Sequence, residues 1–279
     1  MKKRFLTAAD SHALYECFSE AFSDYQVTLQ MTEEQFAQRV RRDGVEMEMS
    51  AGAFDGDRMI AFYMSAPGRW KGALTAYDAG TSVVPDHRRR GVAEELFAFM
   101  TPRLRELGIM QYLLEVITSN DRAVALYRKL GFKDVRTLAV LHAKAAVKTS
   151  RETEGIKIQR VDQPDWETFC TYWDGEPSWQ NSPDAIERVL DRTEIVGAFV
   201  DEKCVGYGVV LKPPAILMQL AVAPEFRRRG IGRKILATLS GEGILRTNNV
   251  DESLQGTLAF YEACGFEIVL RQFEMVREL

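Results

Sequence analysis

An internal repeat narrows what this 279-residue chain can fold into before any other property does. Val83-Val84-Pro85-Asp86-His87-Arg88-Arg89-Arg90-Gly91-Val92-Ala93 returns 139 residues later as Val222-Ala223-Pro224-Glu225-Phe226-Arg227-Arg228-Arg229-Gly230-Ile231-Gly232. A second segment, Ala125-Leu126-Tyr127-Arg128-Lys129-Leu130-Gly131-Phe132, returns 134 residues later as Ala259-Phe260-Tyr261-Glu262-Ala263-Cys264-Gly265-Phe266. The period is too long for a solenoid, whose repeats run to roughly 20–50 residues. It reads as two copies of one domain, which agrees with roughly 150 residues per domain. The polar stretch at 148–154 lacks large hydrophobes and reads as the linker, giving domains at 1–147 and 155–279.

The coarse order of elements runs in parallel in the two copies. Leu14, Cys17, Phe18 and Phe22 recur at helical spacing, and Thr32-Glu33-Glu34-Gln35 forms a capping box that opens a second helix. Ala51–Phe54 and Met59–Ser65 flank an Asp-Gly-Asp turn, which predicts a hairpin continued by a strand over 75–84. A helix carrying Val92, Leu96, Phe97, Met100 and Leu104 follows, with Pro102 expected to bend it. Then come a strand at 112–117, a helix at 121–130 closed by Gly131, and a last strand at 135–142. In the second copy, 165–173 is helical in period, Ser182-Pro183 starts a helix, and 195–200 and 204–211 form a hairpin leading to a strand at 216–222. This order predicts an α/β fold in each copy, a mixed sheet with helices on its faces.

Composition removes several function classes. The chain is 46% hydrophobic and 27% charged, with 36 Lys plus Arg against 40 Asp plus Glu, a net charge of −4. That balance argues against nucleic acid as a partner, because neutralising phosphates needs concentrated positive charge. Cys17, Cys170, Cys204 and Cys264 form no C-x-x-C pair, and His12, His87 and His142 show no metal-ligand spacing, so no metal site is expected. The basic N-terminus lacks the apolar core of a signal peptide, and no apolar run approaches the roughly 20 residues of a membrane helix. The chain is expected to be cytoplasmic, with reduced thiols and no membrane partner.

Each arginine-glycine segment lies between a strand end and a helix start. The first N–H groups of a helix have no intrahelical acceptor, and the dipole adds positive potential, so such a start binds phosphate. Gly91 and Gly230 would clear the approach, Ala93 and Gly232 keep the next turn small, and the arginines add charge-assisted bonds. A dinucleotide fingerprint fits poorly, since Ile235 stands at its third glycine and Ala93 at the second in the first copy. Nicotinamide-nucleotide binding is therefore the weaker reading.

The pattern R-x-x-G-x-[GA] after V-x-P, then N-x-x-A-x-x-x-Y-x-x-x-G-F, resembles the GNAT family of N-acetyltransferases. Arg88, Gly91, Ala93, Asn120, Ala123, Tyr127, Gly131 and Phe132 carry it in the first copy; Arg227, Gly230, Gly232, Tyr261, Gly265 and Phe266 carry it in the second. The resemblance implies two tandem GNAT-like folds, each a mostly antiparallel mixed sheet flanked by helices, with acetyl-CoA as donor and no metal. It implies that the fourth and fifth strands splay around the pantetheine arm. Backbone groups near Val83 and Val84 would pair with the arm, Arg88, Arg89, Arg90, Gly91, Val92 and Ala93 would hold the pyrophosphate, and Asn120 would bond the arm. Val222, Arg227, Arg229, Gly230, Gly232 and Tyr261 are the counterparts. The acceptor it implies is a small-molecule or peptide amine; the oligomeric state is a monomer or a homodimer.

Acetyl transfer to an amine needs a base, an oxyanion donor and an acid for the leaving thiolate. A free phenol titrates near ~10 and a free thiol near ~8.5, so Tyr127 suits the last task. Asp78 and Glu115, carboxylates in otherwise apolar strands, are the candidate bases. The second copy has Leu217 for Asp78, Asn249 for Glu115 and Leu254 for Asn120. It keeps the loop and the tyrosine but loses both candidate bases, which favours the first copy as the enzyme. The competing reading is a non-catalytic acyl-CoA-binding or regulatory protein. Trp179, Gln180 and Tyr25 are further candidates to line an acceptor pocket.

Overall fold

The structure, a computed structural model, describes residues 1–24, 29–149, 155–213, 215–241 and 243–279. Tyr25 and residues 150–154 of the expected linker lie outside the described residues. In chain order the elements are β1 (Lys2–Phe5), α1 (Ser11–Ala21), α2 (Glu33–Asp43), β2 (Ala51–Asp55), β3 (Arg58–Trp70), β4 (Ala73–Val83), α3 (Val92–Glu106), β5 (Gln111–Ile117), α4 (Asp121–Lys129) and β6 (Lys133–Ala143). The second copy continues with β7 (Lys157–Arg160), α5 (Trp166–Cys170), α6 (Pro183–Glu187), β8 (Thr193–Val200), β9 (Lys203–Leu211), β10 (Ile216–Val222), α7 (Ile231–Ser240), β11 (Arg246–Asp251), α8 (Gln255–Ala263) and β12 (Phe266–Glu278).

The compact units do not end where the sequence copies end. The first comprises Met1–Val135 together with Glu274–Leu279, and the second comprises Arg136–Phe273. Strand pairing causes the difference from a cut at 147. From Arg136 onward β6 belongs to the second unit, where it pairs antiparallel with β11, His142 opposite Arg246 and Leu138 opposite Asp251. The end of β12 belongs to the first unit, where β12 neighbours β5 and the Leu279 N–H donates to the Met110 carbonyl at 2.9 Å.

In the first unit the strands lie in the order β1-β2-β3-β4-β5 and then the end of β12. α2 starts where its capping box predicts: the Gln35 N–H donates to Thr32 Oγ1, and the Thr32 N–H donates to Gln35 Oε1. The core gathers Tyr63, Phe62, Tyr77 and Tyr112 from the strands with Phe18 of α1 and Phe97 of α3, all below 2% exposed. Phe97 meets Tyr112 edge-on at 5.3 Å and Phe132 at 5.6 Å, and the Arg277 guanidinium lies 5.0 Å from its ring centroid. Burying a ring of this size is worth about 1.5–3 kcal/mol.

The second unit orders its strands β12-β6-β11-β10-β9-β8-β7. Its core is Ile231, Ile235, Leu236 and Leu239 of α7 packed with Val205, Val210, Leu217 and Leu245. A second cluster stacks Phe169 on Tyr207 at 3.9 Å, the rings only 7° from parallel.

One irregularity recurs in both units and makes room for a site. Parallel pairing of β4 with β5 covers Thr75–Tyr77 against Gln111–Leu113 and stops, so the two strands part beyond it. In the second unit β10 pairs with β11 at Ile216 and Leu217 and then parts likewise. Where the strands part, β4 carries a bulge: Asp78 opposes Ser65 and Gly80 opposes Met64, leaving Ala79 extra. β10 repeats it, with Met218 extra between Leu217 and Gln219. A bulge bends its strand and re-aims the residues beside it.

Candidate active site

The loop entering α3 has a fixed backbone shape. Arg89 and Gly91 both sit at positive φ, 61° and 76°, and Arg228 and Gly230 repeat the pair at 65° and 83°. A Cβ on Gly91 would meet nothing within 4 Å, so the glycine serves the left-handed backbone rather than clearance. Gly232 is small for another reason: a Cβ there would come 3.0 Å from the Phe260 ring. At the matching positions the first copy has Ala93 and Leu126, a larger residue at the first and a smaller one at the second.

The arginine at the head of each loop is spent inside the fold. Arg88 Nε donates to the Val83 carbonyl at 3.0 Å, its two Nη atoms hold Asp24 at 2.6 and 2.8 Å, and Nη2 also reaches the Ala21 carbonyl. Arg227 makes the same set with Val222, Asp174 and Tyr172. These two arginines therefore brace the loop from behind and do not point their forks at a phosphate, as the sequence suggests. Val84 is also committed: its N–H donates to Ile60, its carbonyl accepts from His87, and its side chain is fully buried. Ladder alternation turns the Val83 N–H the other way, toward the gap between β4 and β5. Arg89 and Arg90 are exposed, as are Arg228 and Arg229, the last lying over the Phe226 ring. Asn120 caps α4, its Oδ1 accepting from the Ala123 N–H at 3.2 Å.

The three catalytic candidates are divided between the two faces of the first unit's sheet. Asp78 is 7% exposed and accepts from the Gly80 N–H at 2.9 Å, the Thr81 hydroxyl at 2.7 Å and the Tyr127 hydroxyl. Burial pushes its carboxyl up to about 6, against the pull of those donors and of the Arg39 charge. Tyr127 is buried and packs edge-on against Phe132. Glu115, half-buried, accepts instead from the hydroxyl of Tyr77, whose side chain alternates with that of Asp78 to the opposite face. On that face Arg42 holds Asp43 at 2.7–2.8 Å, Asp43 is fully buried, and Arg39 Nε lies 3.6 Å from it. Arg39, Arg42 and Asp43 escape a sequence reading. Their helical spacing shows only that they share α2, and nothing local ties that helix to β4.

In the second unit a groove of about 1380 Å³ runs along the corresponding gap, lined by Val222, the loop from Phe226 to Lys234, Asn248, Leu254 and Tyr261. Its apex differs. The Tyr261 hydroxyl bonds Thr247 where Tyr127 bonds a carboxylate, and burial raises the Tyr261 phenol well above its ordinary value. Gln219 Nε2 donates to the Asn181 carbonyl at 2.6 Å, and Asn181 Nδ2 donates to the Asn248 carbonyl at 2.7 Å. Asn181 thus stitches β10 to β11 where they part. Tyr207, bonded by Trp173, donates to Gln219, and Asn249 accepts from Gln272. Trp179, expected to line an acceptor pocket, is 5% exposed in the turn that carries Asn181.

Residues 11–132 match the acetyltransferase (GNAT) family, and residues 191–268 match a GNAT acetyltransferase domain. The chain belongs to the GNAT family. It is a tandem, two-domain member, and a helix-flanked mixed sheet in each unit agrees with the sequence expectation. The [ribosomal protein bS18]-alanine N-acetyltransferase of Escherichia coli strain K12 is 31% identical over 94 residues, covering 31% of this chain and 64% of that enzyme. The chain thus spans less than two thirds of that relative's length. The same enzyme of Salmonella typhimurium is 40% identical over 53 residues, 19% of this chain and 36% of that one. Among solved structures, a GCN5-related N-acetyltransferase from Sphaerobacter thermophilus aligns with a TM-score of 0.75 at 14% identity, over 99% of this chain and 95% of that one. A tandem GNAT protein from the clavulanic acid biosynthesis pathway gives 0.75 at 16% identity, over 99% and 98%. Identities this low speak for the fold alone. Among the described residues no helix is long and apolar enough to cross a membrane, and no group of three or more His, Cys, Asp or Glu is placed to hold a metal ion.

Proposed function

We propose that this GNAT protein transfers an acetyl group from acetyl-CoA to a primary amine, and that the first unit performs the transfer. The observation that carries the reading is the contact of the Tyr127 hydroxyl with Asp78 at the point where β4 and β5 part. The residues present suit a phosphopantetheine thioester. The parted strands leave the Val83 N–H facing the gap, and the fixed loop ends in the free N–H groups at the start of α3. Acetyl-CoA would supply an acyl group already activated as a thioester. The N–H groups of Val92 and Ala93, with Arg89 and Arg90, would hold its pyrophosphate.

The chain's own residues divide the proton transfers. Glu115, half-buried beside the gap, takes the proton from the incoming ammonium. The Val83 N–H is the oxyanion donor. Tyr127 gives its phenolic proton to the leaving sulfur, and the second proton leaving the amine nitrogen restores it through solvent. One proton is released overall. Asp78 already accepts three hydrogen bonds, which suits it to hold Tyr127 in place rather than to meet the amine.

The stitched apex of the second unit, with Leu217 and Asn249 at the positions of the two carboxylates, favours a ligand-holding role for that copy. Two measurements test the assignment. Calorimetric titration with acetyl-CoA on the wild type, Gly91→Glu and Gly230→Glu counts the sites, each variant placing an anion in one cradle. Thiol release with a panel of small amines, amino acids and peptides bearing a free N-terminus reads turnover. Turnover abolished by Gly91→Glu and Tyr127→Phe, and kept by Gly230→Glu, supports the reading. Absence of acetyl-CoA binding, or turnover that survives Gly91→Glu, refutes it.

A further inference from the structure

The bulge in β4 is not held by the sheet alone. Arg39, on α2, sends Nη2 to the carbonyl of Ala79, the extra residue of the bulge, at 2.7 Å. The guanidinium itself is placed from two sides. Its Nε lies 3.6 Å from fully buried Asp43, and its carbon lies 5.5 Å from the Phe18 ring centroid. Arg39 is one turn before Asp43 on α2, so the helix presents the cation and its counter-ion together.

We infer that Arg39 is a positioning residue for the transfer, tethering the β4 bulge so that Asp78, and through it Tyr127, stands correctly at the gap. A tether at the Ala79 carbonyl fixes the Ala79–Gly80 peptide, whose N–H donates to the Asp78 carboxylate. The tether also sets charge. The groups beside Asp78 are Tyr127 from α4, Thr81 on β4, Tyr63 from β3 and Tyr112 from β5, and the Arg39 charge reaches it from the α2 side of the bulge. Arg39 is the cation among these groups, and it favours the ionised carboxylate. Without it, burial acts on Asp78 with less opposition and the carboxyl takes up its proton at higher pH.

The kinetic arm of this inference rests on the transferase reading above; the titration arm does not. The experiment compares wild type, Arg39→Gln and Arg39→Lys, with the Asp78 carboxyl carbon followed by NMR on aspartate-labelled protein and assigned with Asp78→Asn. In Arg39→Gln the Asp78 midpoint should rise by about half a pH unit or more, as for removing one cation facing a buried acid. The acid limb of kcat should move with it, and kcat on the plateau should fall about tenfold, the scale of a lost charged hydrogen bond. Arg39→Lys keeps the charge, so its midpoint should stay near the wild-type value while kcat falls, because a single ammonium cannot serve both Ala79 and Asp43. Should Arg39→Gln fail to fold, Arg39→Lys decides on its own, by an unmoved midpoint with lowered kcat. A midpoint unchanged in Arg39→Gln, or full kcat in Arg39→Lys, overturns the inference. A wild type that acetylates no amine refutes the transferase reading instead, and the NMR midpoints still decide the role of Arg39.

Discussion

Replacing Asp78 with Asn should change how the stability of this protein depends on pH, and the size follows from the structure. Burial holds the Asp78 carboxyl at about 6, against 3.8 for an ordinary aspartate. The folded form therefore binds this proton more tightly than the unfolded chain does. Below about pH 3 the acid is neutral in both states and contributes no linkage term. As pH rises through 3.8 toward 6 the unfolded chain ionises first, and stability falls; by about pH 7 the loss is complete. A gap of roughly two pH units corresponds to about 3 kcal/mol. A carboxamide cannot ionise, so the Asp78→Asn variant lacks that descent. Urea unfolding of both proteins at half-unit steps between pH 3 and 8 measures it. Wild-type minus variant stability should drop by about 3 kcal/mol between pH 3 and 7, then level off. Parallel curves would refute the argument, because they would mean that Asp78 titrates alike in the folded and unfolded chains. A difference that grows with pH would mean that the Thr81, Gly80 and Tyr127 donors outweigh burial.

Three further expectations follow from particular contacts. Arg88→Gln releases Asp24, Ala21 and Val83 together, so the acetyl-CoA KM should rise about tenfold. Arg89→Gln removes only an exposed charge, and its smaller effect should fade with added salt; equal effects in the two variants would contradict the bracing role. Gly232→Ala should cost about 1–2 kcal/mol by crowding Phe260, and Phe260→Leu in the same chain should recover most of it, read as a double-mutant cycle by urea unfolding; additive costs would refute the contact. Ending the chain after Phe273 removes fully buried Met275 and the strand beside β5. It should lower the melting temperature and abolish acetyl-CoA binding at the first unit, as calorimetry on Gly230→Glu with and without the truncation would show. Met275 alone is worth about 1.5–3 kcal/mol.

The sequence by itself determined the features set by neighbours along the chain. The capping box at Thr32, the left-handed Gly131 that closes α4, and the start of α3 after Val-x-Pro are local, since each depends on backbone preferences within a few residues. The duplication, and with it the number of folds, was equally legible, because a repeated motif needs no contact to be seen. Tertiary structure decided what depends on partners far along the chain. Arg88 looks like a phosphate ligand until Asp24 is found 64 residues away occupying its fork. Asp78 and Glu115 look alike as strand carboxylates, and only the pleat of β4, the bulge at Ala79 and the position of α4 send one to Tyr127 and the other to Tyr77. The boundary at 147 follows composition, whereas the units divide at 135 because β6 hydrogen-bonds β11, residues about 110 positions later. Local patterning specifies elements; backbone pairing between distant strands chooses which unit an element completes, and that choice is written in no single segment.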